Sequence, residues 1–234
     1  DGKAGIESIL RTAREAFDRA TDAAGDDLLV LLEFPHALLG PLLATHGTLE
    51  MLTALGGEPA EAASLLDRTL ETCLALAEGV ASWGGVEAAL FMDDLAGNAG
   101  PLVSPDTLRA LYFPRLRQIL DVLRRAGAAV LFHSDGDLTR LHRDILDAGA
   151  IGHHPVEPVG GWRLETAARA PRTVVVGNGA IGKIADSVES ASAEGRRCAA
   201  FGGSHPAYFQ APAGEIEDPI DAPRLLAFFG LDPR

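Results

Sequence analysis

The chain has 234 residues, of which 47% are hydrophobic and 23% charged, and a net charge of −13. That composition belongs to a globular protein with a sizeable core, and so acidic a surface repels phosphate backbones and argues against a nucleic-acid partner. No run approaches the ~18 apolar residues of a membrane span, Asp1-Gly2-Lys3 opens no signal-peptide core, and Cys73 and Cys198 sit in no CxxC pattern, so the expectation is a reducing, cytoplasmic setting.

Helical and extended stretches alternate along the chain. Residues 4–23 carry Ile6, Ile9, Leu10, Ala13 and Phe17 at helical spacing. Residues 27–34 form a short apolar run stopped by Pro35, a buried strand. A loop with Gly40 and Pro41 leads to a short helix near 49–55, and residues 58–83 read as a long helix opened by Pro59. Strands are then expected at 86–92, 128–132, 151–154, 173–176 and 199–201, with helices at 104–126, 138–148, 162–170, 184–196 and 223–229. Ser104-Pro105-Asp106 supplies a cap, a first-turn proline and an early acid.

Such alternation implies parallel strands with right-handed crossovers. No GxGxxG follows the first strand and no phosphate-binding loop is present, which disfavours a dinucleotide fold. The fold expected is α/β, and two architectures fit, an open doubly wound sheet or a closed (β/α) barrel, with about six βα units in this chain and residues 1–234 forming one domain. A full barrel needs eight strands, so either two strands escape this reading or the sequence begins after the first two.

In such barrels the chemistry lies where strands run out into loops. After 86–92 come Asp93 and Asp94, either a solvated turn or a site in which one acid faces the barrel mouth. After 128–132 come His133, Ser134 and Asp135. A continuing strand puts His133 and Asp135 on one face, where imidazole and carboxylate can bind a divalent metal or form an acid/base pair. Of His153, His154 and Glu157, at most one histidine faces the centre, and Glu157 is the better candidate. Gly177-Asn178-Gly179 and Gly202-Gly203-Ser204-His205 offer glycines that let a ligand approach the backbone or serve a tight turn.

The succession FMDDLAGNAGPLVSP (91–105), FHSDGD (132–137), HPVEP (154–158), VGNG (176–179) and GGSH (202–205) resembles the uroporphyrinogen decarboxylase superfamily over roughly residues 27–230. The superfamily comprises decarboxylases of haem biosynthesis and zinc-dependent methylcobalamin:coenzyme M methyltransferases, all single (β/α)8 barrels. The resemblance implies a (β/α)8 TIM-type barrel of which this chain lacks the two N-terminal βα units, the ones that in the decarboxylases carry the Arg-rich loop and the catalytic Asp. It also implies a metal at His133, Asp135 and Glu157, zinc being the first candidate. Asp135 stands where the methyltransferases have a Cys, and no late Cys lies near Gly203 and Ser204, so the donor set is harder. Asp93, Asp94, His133 and His205 are the implied catalytic residues, with Gly177, Asn178, Gly203 and Ser204 lining the substrate.

The reading that results is metal-dependent methyl transfer with a corrinoid-carrying partner protein. The alternative, uroporphyrinogen-type decarboxylation, needs cations at the mouth, where this chain offers Asp93, Asp94, Asp135 and Glu157. A non-catalytic binding barrel is the third reading.

Overall fold

The computed structural model describes residues 2–158, 161–169, 173–214 and 219–231. In chain order the elements are α1 (Gly2–Ala24), β1 (Leu31–Glu33), α2 (Gly40–His46), α3 (Thr48–Gly57), α4 (Pro59–Trp83), β2 (Ala88–Met92) and a two-stranded ribbon of β3 (Ala96–Gly97) and β4 (Gly100–Pro101). They continue as α5 (Pro105–Leu111), α6 (Phe113–Arg125), β5 (Ala129–His133), α7 (His142–Asp147), β6 (Gly152–Val156) and α8 (Leu164–Ala167). The last are β7 (Val174–Ala180), α9 (Ile181–Asp186), α10 (Val188–Gly202), β8 (Tyr208–Ala213) and α11 (Ala222–Phe229). The fold is α/β, with parallel strands β1, β2, β5, β6, β7 and β8 separated by helices.

Local chemistry explains several boundaries. Ser104 Oγ accepts the Thr107 N–H at the start of α5, Ser187 accepts Ser190 N–H at α10, and Asp221 accepts Arg224 N–H at α11. The helix expected over 104–126 divides at Tyr112, because Pro114 lacks the N–H that would continue the ladder. The strand expected at 199–201 is the last turn of α10, and the sixth strand is β8, seven residues later. The 162–170 helix is the short α8, and Ala170 lies outside the described residues.

The chain divides into two compact units. The first comprises Asp1–Asp94, Leu102–His133 and Arg143–Ile151. Here β1, β2 and β5 pair in parallel, with Leu31 opposite Ala88, Leu90 opposite Leu131 and Met92 opposite His133. Phe34, Phe91 and Phe132 stack across the three strands at centroid separations of 5.5 and 6.2 Å. With Ala89 and Val130 they form one fully buried face, and Leu66, Leu76, Leu116, Ile119 and Leu123 of α4 and α6 are buried in the same unit. The other face carries Leu90, Met92, Leu131 and His133.

The second unit comprises Leu95–Pro101, Ser134–His142 and Gly152–Arg234. Strands β6, β7 and β8 pair in parallel, Gly152 opposite Val174 and Val175 opposite Tyr208. Ile184, Ala191, Cys198 and Phe228 form a core where α9, α10 and α11 meet.

Candidate metal and substrate site

In the first unit the strand alternation decides which acid reaches the site. Asp93 continues the Phe91 face and is 3% exposed, whereas Asp94 continues the Leu90–Met92 face, the face on which His133 also lies. Accordingly His133 Nε2 and Asp94 Oδ1 stand 3.8 Å apart. The backbone holds them in step, Asp93 N–H donating to His133 O at 3.0 Å. Both side chains keep some access to solvent, His133 at 20% and Asp94 at 56%.

Asp93 is engaged elsewhere. Its Oδ2 accepts from Leu38 N–H (3.0 Å), Leu39 N–H (2.7 Å) and Tyr112 OH (2.9 Å), and its Oδ1 from Gly40 N–H (2.8 Å). Burial pushes the Asp93 carboxyl up to about 6, against these four hydrogen bonds, which pull it down. Expected among the catalytic residues, Asp93 sits as a buried anchor for the turn that opens α2, all of its carboxylate engaged in the protein. Tyr112, at the α5–α6 break, is the partner that sequence reasoning missed. No local signal marks it, since its role depends on a residue 19 positions away.

In the second unit the segment after His133 is held from several sides. Ser134 is fully buried. Its Oγ accepts Leu95 N–H and donates to Asp135 O, and its N–H donates to His154 O. Gly136 N–H donates to Glu157 Oε2 at 2.8 Å, and Asp137 N–H to Gly97 O at 3.0 Å. Gly136 has φ +82°, and a Cβ there would lie 2.7 Å from the Gly97 carbonyl. Glu157, expected as a metal ligand, therefore has one carboxylate oxygen committed to this loop. Asp135 itself is half-buried.

The remaining expected residues separate. Asn178 is buried, with φ +69°, and its Nδ2 donates to Val156 O. A Cβ on Gly177 would press on the backbone of β6, and one on Gly179 would meet the Phe228 ring. Neighbouring elements thus account for both glycines without a ligand. Gly203, Ser204 and His205 precede β8, so they lie at the N-terminal end of a strand that runs parallel to β7. The expectation that they occupy a C-terminal strand end is overturned: His205 stacks on Phe201 at 3.8 Å and Ser204 caps the Phe201 carbonyl. His153 is likewise turned into the protein, 2.8 Å from His142 Nδ1 and against Trp162.

The donor set is hard. Within the first unit Asp94 and His133 offer a carboxylate and an imidazole to a metal, and both thiols are elsewhere. Cys73 is buried in α4 with Sγ against His36 and the Ala37 carbonyl, and burial together with Asp93 pushes its thiol up to about 12. Cys198 is buried beside Phe228. An imidazole beside a carboxylate suits zinc, manganese or ferrous iron.

Residues 6–221 match the family described as Uroporphyrinogen decarboxylase (URO-D). The chain belongs to that family. Comparison with curated proteins found no match. Among solved structures, a methyltransferase from Methanosarcina mazei is similar with a TM-score of 0.70 and 17% identity, over 95% of this chain and 62% of that one. This URO-D family chain thus spans 62% of the length of the structure it resembles, and at that identity the likeness concerns the fold, a (β/α) barrel of which six βα units are present here. Among the described residues, no helix is long and apolar enough to cross a membrane.

Proposed function

We propose that this URO-D family chain belongs to a metal-dependent enzyme of one-carbon transfer, taking a methyl group from a corrinoid-bearing partner protein in the cytoplasm. The observation that carries the reading is the His133–Asp94 pair, 3.8 Å apart at the ends of β5 and β2, with Asp135 two residues further along the chain. Asp94 and His133 would hold the metal, Asp94 taking the place first given to Glu157. A metal bound there supplies Lewis acidity that activates the acceptor as a nucleophile. The protein's own part is positional. Asp93, next to Asp94 in the chain, fixes the turn at Leu38–Gly40, and Ser134 and Glu157 fix the loop that carries Asp135. The similar methyltransferase from Methanosarcina mazei supports transfer chemistry. The description of the family itself supports decarboxylation of a uroporphyrinogen-like substrate as the second reading.

Elemental analysis of the purified protein, beside His133→Ala and Asp94→Asn, tests the proposal. About one transition metal per chain, lost in both variants while their circular dichroism is unchanged, is the expected result, and it justifies assays with methylated corrinoids. Absence of metal from all three proteins after incubation with zinc and manganese overturns the metal-dependent mechanism and makes tetrapyrrole turnover the next assay.

A further inference from the structure

A pocket of about 440 Å³ in the second unit is used by neither reading above. It lies by the C-terminal ends of β6 and β7, where Pro158 follows one strand and Asn178 and Ala180 close the other. Its lining includes the apolar Pro158, Leu164 and Trp162 and the cationic Arg163, Lys183 and Arg197.

The charges are arranged by Glu194. Its side chain is 2% exposed, and it accepts from Arg197 (2.7 Å), Ala180 N–H (3.0 Å) and Lys183 (3.2 Å). Burial pushes its carboxyl up, but the hydrogen bonds from Arg197, Ala180 and Lys183 outweigh that and hold it down at about 2. One buried carboxylate thus tethers two cations side by side. It leaves donors to spare, since an ammonium has three and a guanidinium five, and Lys183 and Arg197 remain 61% and 41% exposed. Arg163 makes no ion pair among the described residues. The pocket holds three cations against two carboxylates, Glu165 and Glu194, in a chain whose net charge is −13. Trp162, also in the lining, is 1% exposed, so its ring packs at the floor of the pocket.

We propose that this pocket binds a small organic carboxylate, its charge among Arg163, Lys183 and Arg197 and its apolar body against Pro158, Leu164 and the Trp162 ring. None of these residues belongs to the His133–Asp94 pair, so the inference stands or falls independently of the metal.

The chain has two tryptophans, so in Trp83→Phe the indole of Trp162 is the sole reporter. Benzoate is expected to change its emission saturably, while benzamide, of the same shape without the charge, does not. Lys183→Gln and Arg163→Gln should each weaken benzoate about tenfold, the scale of a lost charge-assisted hydrogen bond, and Lys183→Arg should retain most of the affinity. Titration calorimetry of the unaltered protein makes the benzoate–benzamide comparison without any substitution. No saturable response to benzoate, equal responses to benzoate and benzamide, or unchanged affinity in folded Gln variants would each overturn the proposal.

Discussion

Two adjacent aspartates at the end of β2 have opposite fates, and the difference is one of parity. Asp94 shares a face with His133, and Asp93 shares one with Phe91. A carboxylate accepting from three backbone N–H groups and a tyrosine hydroxyl is a structural fixture. Asparagine has one acceptor oxygen, so Asp93→Asn sets an NH2 against an N–H donor already present. The variant should lose about 2–4 kcal/mol, read as a lower urea midpoint; an unchanged midpoint would mean that the turn at Leu38–Gly40 holds without the carboxylate. At this scale the sequence shows that His133 and an aspartate end neighbouring strands, since strand ends and residue types are local. It does not show that Asn178 turns its amide to Val156, nor that Glu157 serves Gly136, because those partners lie 22 and 21 residues away.

Elements are legible where periodicity, caps and breakers agree. α1, α4, β5 and α11 fall within a few residues of expectation, and Ser104 caps α5 as its sequence predicts. The error at 199–201 has a physical origin. Cys198 to Phe201 is a short apolar run, which periodicity alone does not assign to strand or helix. The Ser187 cap and the packing of Cys198 in the core with Phe228 make it helix. Meanwhile Pro212 disguises the real strand, tolerated because β8 is the outer strand of its set of three. The loop after β5 is the element most exposed to a single change. Gly136→Ala would place a methyl 2.7 Å from the Gly97 carbonyl at φ +82° and should cost about 2 kcal/mol or more. Gly56→Ala in α3, with nothing within 4 Å, should instead be neutral or stabilise by up to about 1 kcal/mol. Denaturant curves of the two variants compare them directly, and equal midpoints would contradict the close approach.

At the scale of the whole molecule, acid stability is set by buried groups of opposite sign. Burial, and then the neighbouring His142, lowers the His153 imidazole from 6.5 to about 3. The unfolded chain therefore takes up a proton at His153 that the folded one refuses, so the contribution is intact above pH 6.5 and lost as pH falls towards 3. Asp93 works the other way, because its carboxyl is raised from 3.8 to about 6 and the folded state takes up the proton first. The contrast between wild type and His153→Gln isolates the histidine. Between pH 6.5 and 5 wild type should lose about 2 kcal/mol more than the variant, from ~1.4 kcal/mol per pH unit. Parallel losses in urea titrations at the two pH values would show that His153 titrates normally in the fold.

By itself the sequence determined the class of this protein. Alternation of apolar runs with capped helices dictates parallel βα units, and the ordered motifs between residues 91 and 205 point to the family that the comparison then showed. Those features are written in local periodicity, capping and residue order, so they survive without coordinates. Only the tertiary structure decided which polar residues meet. It chose Asp94 over Asp93, removed His205, Gly203 and Ser204 to the other end of their strand, and gathered Trp162, Lys183, Glu194 and Arg197 around one pocket. Such meetings depend on strand register and helix rotation between residues far apart in the chain, quantities that no local pattern encodes.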